Sequence, residues 1–95
     1  MEIRDVLAAL EAEAAAGGVP IIRAEEREAL LRAAAESRPR RILEIGTAIG
    51  YSALLLAERF PEAEVDTVEL DEKRRARALR AVEEAGAAGR VRCLA

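Results

Sequence analysis

Aromatic side chains are almost missing from this chain: one Phe, one Tyr and no Trp in 95 residues. A chain of that length is one domain at most, with modest surface burial, and ring side chains can fill little of its core. The apolar share is 52%, but alanine supplies a large part of it. Cysteine is reduced to Cys93, which cannot form an internal disulfide, so nothing points to an oxidising compartment. Set in the apolar run VRCLA, it reads as a small buried hydrophobe rather than a reactive thiol. No stretch approaches the ~18 apolar residues of a membrane span. The opening residues MEIRDVLAAL carry acids early and have no basic n-region, so they are not a secretory signal, and a cytoplasmic location is expected. Lysine is nearly absent too, Lys73 being the only one. Charged residues make up 35% at a net charge of −3, a balance that argues against a strongly basic nucleic-acid-binding module.

What is present falls into two parts. Over residues 2–16, Ile3, Val6, Leu7 and Leu10 follow the i, i+3, i+4, i+7 spacing of one helix face. Gly17-Gly18 stops that helix, and Val19-Pro20 forces an extended link. A second helix fits Ala24–Glu36, with Leu30 and Leu31 on its buried side and Glu25, Glu26 and Glu28 near its N-terminus, where the macrodipole favours acids. Ser37 to Pro39 ends it. Residues 1–38 therefore read as a helical lead-in, and residues 39–95 as a unit of alternating strands and helices. The strands are Arg41–Ile45, Val65–Leu70 and Val91–Leu94. The helices between them run from Tyr51 to Phe60, ahead of Pro61, and from an Asp71 N-cap to about Ala85. Gly86 and Gly89 bracket the last turn. Such alternation predicts right-handed βαβ units, an α/β fold with a parallel sheet in the order 3-2-1.

The junction ILEIGTAIGYS, residues 42–52, carries the chemistry. A helix that starts just past a strand's carboxyl end aims its free N–H groups and positive dipole end into the crevice above the sheet, an anchor for a carboxylate or a phosphate. A dinucleotide site wants G-x-G-x-x-G, whereas here Gly46 and Gly50 stand four apart with Ala48 in the middle position. Three further residues sharpen the signal. Glu69 lies 19 residues after Gly50, at the tip of the neighbouring strand, where its carboxylate can accept from both hydroxyls of a ribose. Ser52 can turn its hydroxyl to a carboxylate beside the helix N–H groups. Glu44 is a charge inside an apolar strand, costly unless paired or at the open end. It either pairs with an arginine such as Arg40 or Arg23, or braces the glycine turn or a ligand's ammonium group.

These residues carry a resemblance. ILEIGTAIGYSALLLA followed by VDTVELDEKRRARALRAVEEAG is similar to the first half of a class I S-adenosylmethionine-dependent methyltransferase. Specifically it resembles the cation-dependent O-methyltransferases, the family of the catechol and caffeoyl-CoA enzymes, whose turn is of the GT-x-x-GYS type. VPII and the long helical lead-in look closest to the bacterial branch that methylates 5-hydroxyuridine in tRNA. The resemblance implies a partial Rossmann-like domain with S-adenosylmethionine as cofactor. Gly46 would lie against its methionine part, Ser52 would hold its carboxylate, and Glu69 would grip the ribose hydroxyls. Ile22 would close over the site, at a position where relatives often carry Met, while Glu44 and Tyr51 match the motif as further cofactor-binding residues or as supports of the turn.

The same resemblance implies a methyl acceptor with a hydroxyl, either a small molecule or a tRNA hydroxyuridine. It also implies a divalent cation, Mg2+ or another, with ligands on later segments than these. Because the sheet would have nothing beyond its first strand, the chain reads as an N-terminal fragment, inactive by itself, with an exposed edge that a homodimer could close. Two alternatives stay open. One is an NAD-type dinucleotide-binding domain, which Ala48 disfavours. The other is a non-catalytic RNA or protein interaction module using Lys73, Arg74, Arg75, Arg77 and Arg80, a run that otherwise reads as a solvated helix face with pairs such as Arg80–Glu84.

Overall fold

The computed structural model describes all residues, Met1–Ala95, in the order α1 (Ile3–Gly17), α2 (Ala24–Glu36), β1 (Arg41–Ile45), α3 (Tyr51–Arg59), β2 (Glu64–Val68), α4 (Glu72–Glu84) and β3 (Val91–Leu94). The strands form one parallel sheet in the order β1-β2-β3, the expected 3-2-1 arrangement with β1 at an edge. Helix starts and stops follow local chemistry. Gly18 closes α1 in the left-handed conformation at φ 69°, as glycine after a last helical turn commonly does. Asp71 caps α4 by accepting from the Arg74 N–H at 2.9 Å. At the far end of α3, Arg90 donates to the carbonyl of Ala57 at 3.0 Å and of the cap residue Phe60 at 3.4 Å, acceptors the helix leaves open, and to that of Ala63 in the following loop at 3.0 Å.

Both crossovers return on the same side, so α3 and α4 cover one face of the sheet and α1 packs behind α3. The strands alternate accordingly. Val65, Thr67 and Val91 are buried and Ile42, Glu44 and Cys93 partly so, while Leu43 and Ile45 on the opposite face are 69% and 76% exposed. The core joins Val6, Leu7 and Leu10 of α1 and Leu31 of α2 to Leu54 and Leu56 of α3, Val82 of α4, and Val65 and Val91 of the sheet. Each large aliphatic side chain buried there contributes about 1.5–3 kcal/mol. Alanine does a separate job. Ala53, Ala57, Ala78 and Ala81 are fully buried, and small side chains let these helices approach their neighbours closely. The tightest approach is at Gly50, where an added Cβ would stand 3.2 Å from both Cα and Cβ of Ala78.

Three expectations are corrected. Leu31 is buried, but Leu30 stands exposed, because α2 turns only a narrow stripe, with Leu31 as its buried residue, toward the core. The second strand ends at Val68, and Leu70 is 85% exposed, since the chain leaves the sheet at Glu69 to enter the turn before α4. Arg80 forms no pair with Glu84, which instead lies 3.7 Å from Arg77. No helix is long and apolar enough to cross a membrane.

Candidate functional site

The carboxyl ends of β1 and β2 and the start of α3 meet at the turn 46–50. Gly46, Ala48 and Gly50 all adopt positive φ, at 92°, 50° and 96°. The N–H groups of Gly46 and Thr47 both donate to the Val68 carbonyl, at 2.8 and 3.1 Å, which curls the turn over the end of β2. Gly50 donates back to the Thr47 carbonyl at 2.9 Å, and its own carbonyl receives the Leu54 N–H at 3.0 Å, opening the helix. The N–H groups of Tyr51, Ser52 and Ala53 have no backbone acceptor. They are the donors an anion would use.

Glu69 is placed on this turn. Its Oε1 accepts from the Ala48 N–H at 2.8 Å, and its Oε2 accepts from the Asp71 N–H at 3.0 Å. Arg75 donates to the Glu69 carbonyl at 3.0 Å, so the acid is held from both sides of its own backbone. A carboxylate oxygen accepts more than one hydrogen bond, which leaves Glu69 capacity toward the crevice. Gly46 adds room: a Cβ placed there would meet no atom within 4 Å.

Glu44 pairs with neither Arg40 nor Arg23. It accepts from the Thr67 hydroxyl at 2.7 Å, and the Thr67 hydroxyl in turn hydrogen-bonds that of Thr47. Burial raises its carboxyl above the ordinary carboxylate value, while hydrogen bonds from Thr67 and Ser52 pull the other way. Burial, and then the nearby Glu44 charge, also raise the Cys93 thiol above its ordinary value. An ionised carboxylate can only accept. With Glu44 ionised, Thr67 donates to it and Thr47 donates to Thr67, which gives the relay under the turn one direction.

Tyr51 begins α3 but faces the helical layer. Its ring is buried, its hydroxyl donates to Glu11 of α1, and the Arg27 guanidinium lies 5.5 Å from the ring centroid. Burial, and then the bond to Glu11, push the phenol up to about 12. Ile22 lies in the α1–α2 link, packed partly against the core in a groove of about 510 Å3 with Glu11, Ala14 and Arg27. The fold thus brings Glu44, Gly46, Ser52 and Glu69 together. Tyr51 anchors the helix that carries Ser52, and Ile22 lines a separate groove. None of the three surface cavities is lined by Gly46, Ser52 or Glu69, so the crevice is an open ledge.

Thr47 and Thr67 were not singled out from the sequence, yet they are the buried polar residues of the fold. The usable signal was Thr67 two residues after Val65, on the inward phase of β2; its partner Glu44 is visible only in the strand register, where the two lie opposite. The Arg run on α4 is partly committed to the fold. Arg77 bonds Glu13 at 2.9 and 3.0 Å and Arg75 holds the Glu69 backbone. No group of three or more His, Cys, Asp or Glu side chains converges to hold a metal ion.

The comparisons with known proteins agree with this fold. An O-methyltransferase family profile matches residues 13–94. A probable O-methyltransferase of Mycobacterium tuberculosis is 40% identical over 93 residues, covering 97% of this chain and 40% of that protein. Among solved structures, a candidate caffeoyl-CoA O-methyltransferase of Staphylococcus aureus superimposes with a TM-score of 0.87 at 27% identity, covering 93% of this chain and 42% of that one. An O-methyltransferase of Bacillus cereus in complex with SAH gives a TM-score of 0.77 at 30% identity, covering 94% and 42%. The chain spans about 40% of the length of the curated relative. A parallel sheet with a glycine turn, an acid at the tip of the second strand and a profile match over most of its residues place this chain in the O-methyltransferase family.

Proposed function

We propose that this chain is the cofactor-holding part of an S-adenosylmethionine-dependent O-methyltransferase, with residues 1–38 as a helical lead-in and residues 39–95 as the first half of the cofactor-binding domain. The observation that carries the proposal is the Glu69 carboxylate, bonded to the turn at Ala48 N–H beside three helix N–H groups without acceptors. That set matches a ligand with a hydroxyl pair at one end and a carboxylate at the other. Ala48 supports the same reading over a dinucleotide, because a Cβ stands where the backbone would close on a pyrophosphate.

The chain's residues divide the work. Ser52 and the free N–H groups of α3 hold the amino-acid carboxylate, and the dipole of α3 favours its charge. Gly46 leaves space for the methionine part, and Glu69 accepts from the ribose hydroxyls. Glu44 holds Thr67, and through it Thr47, so the turn keeps its shape, while Tyr51 fixes α3 to α1. Ile22 is assigned to closure of the N-terminal segment over the ligand, a movement that would carry it out of the separate groove it lines. S-adenosylmethionine, when bound, supplies a methyl group on a sulfonium, ready for transfer to a nucleophilic oxygen. The acceptor is a hydroxyl, on a small molecule or a tRNA hydroxyuridine. The acidic residues present do not fit a metal site, so no step here is assigned to a cation.

Titration of the chain with S-adenosylhomocysteine, followed by amide NMR, tests the assignment. Weak binding is expected, with shifts confined to residues 46–52 and 69 and lost in Glu69→Ala. Methyl transfer to added hydroxyl substrates is expected to be undetectable with the chain alone. Tighter binding of NADH at the same residues would overturn the cofactor assignment, and turnover absent from a Gly46→Val control would overturn the inactivity.

A further inference from the structure

At the end of the sheet opposite the crevice, the loops before β1 and after α3 enclose a groove of about 450 Å3. Its walls carry three guanidiniums, Arg38, Arg40 and Arg59, against the single carboxylate of Glu62, and three flat side chains, Pro39, Phe60 and Pro61. Helices α2 and α3 both end here, and arginines at helix C-termini ordinarily serve the last carbonyls. In this fold other groups have taken that role. Ser37 donates its N–H and its hydroxyl to the Ala34 carbonyl at 3.1 and 2.8 Å, and Arg90 serves the end of α3.

The three groove guanidiniums are left over. Arg38 and Arg40 form no ion pair and donate no side-chain hydrogen bond, and Arg59 has only a 3.5 Å contact to the exposed Glu28. Arg38 also holds a left-handed backbone at φ 48°, the position after α2 where glycine would be relaxed. Arg38 thus combines a conformational cost with donors that no group of the fold takes up.

We propose that this groove binds a nucleotide phosphate: Arg38, Arg40 and Arg59 take the phosphate oxygens through charge-assisted, forked hydrogen bonds, and the base lies against Phe60 and the two prolines. Free nucleotide and an RNA strand present the same chemistry. The site is distinct from the cofactor ledge and does not depend on its assignment.

The test titrates the whole chain with adenosine monophosphate, inorganic phosphate and a single-stranded oligoribonucleotide of about ten residues, and repeats each titration with S-adenosylhomocysteine added as competitor. Adenosine monophosphate is expected to bind and to weaken steeply with salt. Arg38→Gln with Arg40→Gln should weaken it at least tenfold, and Phe60→Leu should weaken it severalfold while leaving inorganic phosphate unchanged. Arg38→Gly separates binding from folding, because it should lose affinity while melting at a higher temperature. An oligonucleotide binding tenfold or more above the mononucleotide identifies a strand as the source, and equal affinities identify free nucleotide. Failure of both to bind, displacement by S-adenosylhomocysteine, or equal affinity for inorganic phosphate and adenosine monophosphate would each overturn the proposal.

Discussion

The two faces of the sheet are made from the same strands, yet one is packed under helices and the other is bare. On the helix-covered face, Val65 and Thr67 of β2 are both fully buried. On the other, Leu43 and Ile45 of β1 are mostly exposed, above a bidentate Asp66–Arg92 pair with bonds of 2.7 and 2.8 Å. A threonine is in the core and two large aliphatics are outside it. Residue hydrophobicity therefore does not assign the inside of this sheet; the side on which α3 and α4 return does.

The largest expected effect comes from testing that contrast directly. Leu54→Ala on the covered side should cost about 2–5 kcal/mol in denaturant unfolding, whereas Leu43→Ala should stay within about 0.5 kcal/mol. Equal costs would show that the exposed face is buried in solution, as in a dimer built on the free β1 edge, and sedimentation would then detect it. Gly50→Ala ranks next. A positive φ costs roughly 1–2 kcal/mol for a residue with a Cβ, and contact with Ala78 adds to it. Gly46→Ala meets no such neighbour and should be the milder of the two in thermal melts.

A smaller effect is a pH dependence peculiar to the covered face. Glu44 has a folded-state value above its ordinary one, so the folded chain binds the proton more tightly than the unfolded chain does. Stability from this group is fully present below the ordinary value of 4.5 and declines as pH rises through the raised value. Glu44→Gln should remove that decline, read as the difference between the two urea-midpoint profiles. Asp66 and Asp71 act in the opposite sense. Arg92 lowers the first and the Arg74 backbone N–H the second, so their contribution is lost as pH falls through and below 3.8. The smallest effect belongs to the bare face. Asp66→Asn should leave the midpoint unchanged within error at high salt, because exposed pairs are screened; a shift that survives high salt would mean water is excluded there.

The elements were legible because their signals are local. Gly17-Gly18, Pro61 and Asp71 mark ends that a few neighbouring residues decide, and α2 and β1 run over the residues the periodicity picks out. The candidate site was legible in part. Glu69 at the strand tip and the Gly46–Gly50 turn follow from spacing, but the bond from Ala48 to Glu69 needs two strands in register. Glu44 shows the limit most clearly. Its sequence neighbours offered Arg40 as a partner, and the fold chose Thr67, 23 residues away, because β1 and β2 set those side chains opposite each other on the packed face.

By itself, then, the sequence determined the βαβ order, the glycine turn with its free helix donors, and the acid that faces it, since capping, periodicity and backbone freedom act over a few residues. Only the tertiary structure decided which face of the sheet is packed, that the Tyr51 hydroxyl bonds Glu11 of α1, and that Glu44 accepts from Thr67, with Thr47 behind it. Those outcomes depend on contacts between segments 20 or more residues apart, such as the bond joining Thr47 to Thr67. Contacts of that kind exist only once strand register and crossover side are set.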